Sequence, residues 1–448
     1  MTPATLRLDR HEFVALVRLG WPVVISQVGF MLMGVVDTVL VGRYAPHALA
    51  GVALGNTWSF AWIIFGRGMA AGVDPLITQA IGAGDERAFH RSLATGAVLM
   101  TIMAVPITAM HGLASWGLRL IGEPESAIPI AQGFAWAVAP SVIALLLEAL
   151  WRHGLQARSS MRTAMAVALV GNLINVPSAW FLMRGFWGWE GLGPVGVGVS
   201  TSLVRFGMLG AMVIAAWPDV KGAMRALPEV TWTGLRRLTW IAGPVGLQTA
   251  LEVWAFSGGT LVAGWFGEVS VSAHIVALNL ASMAFMVPLG FSAAAATRVG
   301  NRMGAGEDWG PTAATAVATG ACAMLVSATL FATMPYALAG IYLPDAPEAR
   351  ALAATLLPLA ALFAVFDGTQ AVSFGVLRGA GDTTMPSVAN VLGYYVVGLP
   401  FGAWLAWGLG LGVVGVWWGY VTALVCVAFA LLLRLRWVAR VGGFRREA

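Results

Sequence analysis

Long apolar stretches recur from one end of this chain to the other, and they constrain its fold more than any other feature. About 20 mostly apolar residues carry an α-helix across a bilayer. Twelve stretches meet that length, centred in 14–42, 50–80, 92–118, 127–151, 162–184, 194–216, 237–266, 271–302, 313–342, 350–376, 385–407 and 412–434. Several exceed what a bilayer requires, which predicts tilt or extension into water. Of the 448 residues, 58% are hydrophobic and 10% charged. A soluble domain carries about a quarter charged residues, so most of this surface cannot face water. The polar start, Met1 to Glu12, precedes a stretch too long for the core of a cleaved signal. The first helix is therefore expected to stay in the protein. The expected class is an all-α integral membrane protein.

The net charge of +5 does not point to nucleic acid, because the basic residues lie in short segments between the stretches. With both termini on one side, that side collects Arg7, Arg10, Arg87, Arg91, Arg152, Arg158, Arg162, Lys221, Arg225, Arg236, Arg237, Arg298, Arg302 and Arg378. The tail adds Arg434, Arg436, Arg440, Arg445 and Arg446, whereas the other side holds Arg43, Arg119, Arg184 and Arg350. Positive charge stays in the cytoplasm, which predicts a multi-pass protein of the inner (cytoplasmic) membrane with both termini cytoplasmic. Cys322 and Cys426 lie far apart in apolar stretches and read as inert buried thiols.

The chain also repeats itself at a spacing of 222. Pro22 pairs with Pro244, Gly42 with Gly264, Gly68 with Gly290 and Leu155 with Leu377. Gly82-Ala83-Gly84-Asp85 pairs with Gly304-Ala305-Gly306-Glu307 at that offset, and Val195-Gly196-Val197 recurs as Val414-Gly415-Val416 at 219. Six helices per copy make the repeats parallel, related by an axis along the membrane normal. The expected domains are an N-lobe over 1–216, a linker over 217–236 and a C-lobe over 237–448 that ends in the basic tail. Lobes of that design rock alternately around a bound substrate.

A charge at the bilayer centre costs about 2.5–3.5 kcal/mol even on lenient scales, so a carboxylate there marks function by default. Asp37, Glu252 and Asp367 each lie well inside a stretch, with no Lys or Arg within one turn. Carboxyls in low dielectric can exchange a proton or hold Na⁺ near neutral pH, which suits them to cation coupling. Gln248 and Phe256 flank Glu252 at i−4 and i+4, and Phe363 and Gln370 flank Asp367 at i−4 and i+3. A carboxylate beside an aromatic face suits a flat organic cation. Asn172 and Asn175, at i and i+3, share a face that could ligate a cation or bond Asp37. Glu148 and Arg152 are spaced for a local ion pair. Arg67 and Asp74 read as a pair within one helix, and Arg205 has no evident partner. Gly191-Leu-Gly193-Pro-Val-Gly196 and Gly410-Leu-Gly412-Val-Val-Gly415 match G-x-G-x-x-G without a preceding strand, so helix packing explains them better than a dinucleotide. No nucleophile elbow, P-loop or zinc spacing is present, and the reading is not an enzyme.

The sequence resembles the multidrug and toxic compound extrusion (MATE) family, and more closely its NorM-like branch. The resemblance rests on Trp21-Pro22 through Gln27, Met33-Gly34-Val-Val-Asp37-Thr38 through Gly42-Arg43, and Ala273-His274-Ile-Val-Ala277-Leu278-Asn279 with Pro288-Leu-Gly290. Phe366-Asp367-Gly368-Thr-Gln370-Ala371 and Leu377-Arg378-Gly379-Ala-Gly381-Asp382-Thr383 complete it, and the last is the most specific piece. The resemblance implies export of cationic or amphipathic drugs in exchange for Na⁺ or H⁺. It implies cation coupling at Glu252 and Asp367, which would hold Na⁺ in a sodium-coupled protein, with Asp37 as the N-lobe acid. Gln248, Phe256, Phe363, Gln370, Asn172, Asn175 and Asn279 are the expected substrate contacts. Ala179 stands where many family members carry Asp or Asn, which shifts the expected coupling toward Glu252 and Asp367. No cofactor is expected beyond the coupling ion. The expected partners are small organic cations or amphipathic drugs and the lipid bilayer, with no nucleic acid, and the chain is expected to work as a monomer. A lipid-linked saccharide flippase of the same wider superfamily is the alternative.

Overall fold

The apolar stretches fold as helices that glycine, proline and capping acids delimit. In a computed structural model describing residues 4–186 and 188–444, these helices are α1 (Arg10–Tyr44), α2 (Pro46–Gly82), α3 (Glu86–Gly112), α4 (Ile128–Ala157), α5 (Met161–Arg184) and α6 (Val195–Ala215). The second half repeats them as α7 (Trp232–Trp265), α8 (Glu268–Ala305), α9 (Gly310–Thr333), α10 (Pro347–Gly379), α11 (Thr384–Gly408) and α12 (Val413–Val441). Among the described residues no strand occurs. Eleven of these helices are long and apolar enough to cross a bilayer by themselves. The twelfth, α7, has the length at 34 residues, but Gln248, Glu252 and several glycines dilute its apolar character.

Local signals set the ends. Asp85 caps α3 by accepting the Ala88 N–H at 2.9 Å, and Gly306 ends α8 in a left-handed conformation. Two stretches end sooner than the sequence suggests. Apolar residues run on over 92–118 and 313–342, yet α3 stops at Gly112 and α9 at Thr333, followed by separate helices Ala114–Leu120 and Pro335–Tyr342. Proline removes an N–H and drives the preceding residue out of helical geometry, and Met334 sits at φ −126°, ψ 37°. Leu113 occupies the corresponding break 221 residues earlier, within one residue of the repeat spacing, so the interruption belongs to the repeat.

The two glycine motifs form turns entering α6 and α12. Gly193 and Gly412 have φ of 60° and 55°, where only glycine is unstrained. A Cβ on Gly196 would lie 2.5 Å from the Leu182 carbonyl oxygen, and one on Gly415 would lie 2.5 Å from the Ala406 nitrogen. Close backbone packing accounts for both motifs. Cys322 and Cys426 are free as expected, but they are exposed rather than buried. Each points off the outer face of a helix that crosses lipid, where an apolar side chain need not be covered by protein. Arg445 and Arg446 of the basic tail lie outside the described residues.

The compact units follow packing rather than the sequence halves. One, the C unit, gathers the chain up to Val24, Thr78–Gly84 and everything from Leu251 onward. The other, the N unit, holds Ile25–Ile77 and Asp85–Ala250. Each half therefore lends a piece of its first helix to the unit that contains most of the other half. Within the C unit, a Cβ on Gly290 would lie 2.4 Å from a Val24 side-chain carbon, so α1 and α8 cross at glycine. Within the N unit, Gly68 meets Gly246 in the equivalent crossing of α2 and α7, at 2.8 Å from an added Cβ. These contacts are the same pair of positions shifted by 222.

Two further glycines seat Thr78–Gly84 in the C unit. Cβ atoms on Gly82 and Gly304 would lie 1.9 Å from the Asn301 oxygen and 2.0 Å from the Gln79 oxygen, respectively. Ion pairs reinforce this end. The buried carboxylate of Glu12 on α1 accepts from Arg298 Nε at 2.9 Å, Arg298 Nη2 at 2.7 Å, Arg302 Nη2 at 2.6 Å and Thr312 Oγ1 at 2.8 Å.

Candidate functional site

Six-helix repeats carry their buried acids on the same kinds of helix, so the site is built once in each unit. In the N unit, Asp37 comes from the C-terminal half of α1, beyond Pro22, which lies within the continuous helix. It is buried, accepting from Asn175 Nδ2 at 2.8 Å and from Thr201 Oγ1 at 2.9 Å. Ser200 donates to Asn175 Oδ1 at 3.4 Å and lies 2.6 Å from the Ser178 hydroxyl, so α1, α5 and α6 meet in one hydrogen-bonded cluster. Each donor answers an acceptor, as a buried polar group requires. Of the two asparagines expected here, Asn175 reaches Asp37. Asn172 turns its amide back to the Ala168 carbonyl at 2.8 Å and makes no contact with the acid. Ala179 is fully buried one turn beyond Asn175.

In the C unit, α7 and α10 bring Glu252 and Asp367 into electrostatic interaction, with Asp367 buried and Glu252 partly open. Asn390 of α11 donates to Glu252 Oε2 at 3.3 Å. One turn further, Tyr394 is fully buried and interacts electrostatically with both acids, while its hydroxyl has no hydrogen-bond partner. The rings surround this point. Phe256 lies 5.8 Å from Phe363, 5.6 Å from Tyr394 and 5.1 Å from Tyr420, centroid to centroid, and Phe363 lies 5.9 Å from Trp417. Edge-to-face rings at such distances add to the packing and present faces to a cation. Gln370 is buried with its Oε1 unbonded. Gln248 is buried on the N-unit portion of α7, and Asn279 is exposed on α8.

Two carboxylates sharing a pocket repel each other unless a proton or a cation joins them. The Glu252–Asp367 pair can therefore take up a proton or a cation. Among the described residues no cluster of three metal-ligating side chains occurs. The sequence missed Thr201, Ser200, Asn390 and Tyr394. Only the polar residues that α6 and α11 carry within apolar runs hinted at them. Arg67 and Asp74 do not pair. The helix breaks at Gly72–Val73, which turns Asp74 onto His153 Nδ1 at 2.7 Å, while Arg67 donates to Gln27 at 3.3 Å. Glu148 and Arg152 do pair, at 3.6 Å. The Asp382 carboxylate of the specific Leu-Arg-Gly-x-Gly-Asp segment accepts from Arg434 Nε at 2.6 Å, fastening the turn after α10 to α12. A cavity of about 310 Å³ opens elsewhere in the C unit, between Gly82, Arg298, Asn301, Arg302 and Glu307. It borders the Glu12 ion pairs rather than the paired acids, so chemistry rather than volume locates the site.

Twelve helices in two repeats, each with its own buried acid site, define the fold class of the MATE transporters. A eukaryotic MATE transporter superposes with a TM-score of 0.87 at 20% identity, covering 96% of this chain and 98% of that one. A MOP superfamily transporter from Pyrococcus furiosus does so with a TM-score of 0.86 at 19% identity, covering 96% of each chain. The chain belongs to the MatE family, whose profile matches twice, over residues 22–181 and 244–404. The two matches begin 222 residues apart, which is the spacing of the internal repeat. It is 34% identical to the probable multidrug resistance protein NorM of Burkholderia pseudomallei, across 98% of this chain and 96% of that protein. It is 32% identical to the probable NorM of Bradyrhizobium diazoefficiens, across 96% and 94%.

Proposed function

We propose that this protein exports cationic or amphipathic organic compounds from the cytoplasm in exchange for Na⁺ or H⁺, by alternating access. The observation that carries the proposal is the pairing of Glu252 with Asp367 beside Phe256, Phe363 and Tyr394. Ionised, the two acids hold an organic cation against the rings. An entering Na⁺ or proton neutralises them, and the drug leaves. A ligand shifts a conformational equilibrium only through different affinity for its two states, so this competition has to occur where access alternates. Asp37, held by Asn175 and Thr201, serves as a second coupling site in the N unit. The protein sits in the inner membrane with both termini in the cytoplasm and works as a monomer. Relatives named as multidrug resistance proteins support this reading over a lipid-linked saccharide flippase.

The test uses purified protein in liposomes loaded with a fluorescent organic cation. Export is followed under an imposed Na⁺ gradient and, separately, under a pH gradient. Glu252→Gln should reduce coupled export at least tenfold while the protein still inserts and purifies as a monodisperse species. Full export by that variant would refute the role of the acid pair.

A further inference from the structure

The N unit contains a second group of charges that cation exchange does not use. Arg67 of α2 and Arg152 of α4 both lie over the Phe30 ring, with guanidinium carbons 4.7 and 6.0 Å from its centroid. The Glu148 carboxylate lies within electrostatic reach of both guanidiniums. Arg205 of α6, which the sequence left without a partner, donates to Ser141 Oγ at 3.1 Å and lies within electrostatic reach of both Arg67 and Asp37. Three arginines face two carboxylates here, Asp37 and Glu148, which leaves one positive charge uncompensated within membrane-spanning helices. Such a charge is costly there.

The hydrogen bonding points the same way. A guanidinium offers five N–H donors. Arg67 uses one on Gln27, at 3.3 Å, and Arg205 uses one on Ser141. Arg152 is buried, faces Glu148 at 3.6 Å, beyond good hydrogen-bond length, and its Nε has no hydrogen-bond partner. Donors left open beside a carboxylate too few are the chemistry of an anion subsite, and planar guanidinium forks fit a carboxylate well.

We propose that Arg67, Arg152 and Arg205 form a binding site for a small monovalent anion, either a free halide or the carboxylate of an amphipathic substrate. Glu148 is the internal competitor that occupies one side of it. A substrate carrying both charges would thus be read by two separate sites, its cation at Glu252 and Asp367 and its anion here. The site depends only on N-unit residues, so it stands or falls independently of the Glu252–Asp367 pair.

The experiment measures binding of radiolabelled chloride and, separately, radiolabelled benzoate to the purified full-length protein. Wild type should bind with saturation. Arg152→Gln should weaken binding at least tenfold, and Glu148→Gln, which removes the competing charge, should strengthen it about tenfold. Because the two variants act in opposite directions, a folding defect cannot mimic the pattern. Binding of chloride alone identifies a halide site, and binding of benzoate alone identifies a substrate-carboxylate site. Saturable binding of neither anion, or an unchanged affinity in Glu148→Gln, overturns the proposal. Cation export measured on the same preparations separates that outcome from failure of the acid pair: lost anion binding with normal dye export refutes this site alone.

Discussion

Replacing Glu12 by Ala should loosen the first helix of the chain by a predictable amount. The carboxylate is 3% exposed and accepts three guanidinium N–H bonds and one hydroxyl bond, all between 2.6 and 2.9 Å. Hydrogen bonds to charged groups contribute about 1.5–3 kcal/mol each when buried. The arginine side chains are 27% and 29% exposed, so water recovers much of their loss and each counts near or below the bottom of that range. Thr312 is fully buried and loses its acceptor outright, at about 1 kcal/mol. Together these give about 3 kcal/mol. Near 1.4 kcal/mol per factor of ten, that is roughly a 150-fold rise in the population of open states. Hydrogen–deuterium exchange of the purified protein reads it directly, because amides between Phe13 and Val24 exchange through local opening of this segment. Those amides should exchange about 150-fold faster in Glu12→Ala, with an intermediate effect in Glu12→Gln, while α5 and α6 stay unchanged. Rates within threefold of wild type across residues 13–24 would show that the glycine contacts alone hold the helix.

Gly82→Ala should destabilise the protein by about 3 kcal/mol or more, since its Cβ would sit 1.9 Å from the Asn301 carbonyl oxygen and backbone has to shift. Gly84→Ala, at φ 71° with open space around it, should cost only about 1 kcal/mol, and thermal melts of both variants in detergent check the ranking. Asp37→Asn should leave the fold intact, because Asn175 and Thr201 keep an acceptor, but reduce coupled export several-fold; unaltered export in liposomes would remove Asp37 from the coupling. Burial alone would raise the Asp308 carboxyl, but hydrogen bonds from the Thr5 hydroxyl and N–H and from the Gly310 N–H hold it below its ordinary value of 3.8. That group therefore adds stability above pH about 4 and loses it as pH falls further. Melting temperatures between pH 6 and pH 3 should consequently fall more steeply for wild type than for Asp308→Asn.

Hydrophobic length and the 222-residue echo carried the architecture, because both are properties of the chain read one residue at a time. Where the apolar run continued past a break, as at Leu113 and Pro335, length misled, and proline chemistry marks the stop only at Pro335. The acids Asp37, Glu252 and Asp367 stood out because a charge in an apolar helix has no innocent context. Their partners did not. Asn390 and Tyr394 lie more than 130 residues from Glu252, and nothing local marks them as its neighbours. Arg67 and Asp74 look paired at two turns of an unbroken helix, and the interruption at Gly72–Val73 is what separates them. Exposure of Cys322 and Cys426 was equally illegible, since lipid rewards the same side chains as a protein core.

The exchange of first-helix segments bears on how such a chain arose. A protein of one repeat would leave the glycine seat on its second helix bare and its leading arm without a groove. Two copies placed side by side could each fill the gap in the other, in the manner of a swapped dimer. Fusion end to end would then fix both arms within a single polypeptide, and afterwards the copies were free to diverge in charge, one keeping its paired acids and the other gathering arginines.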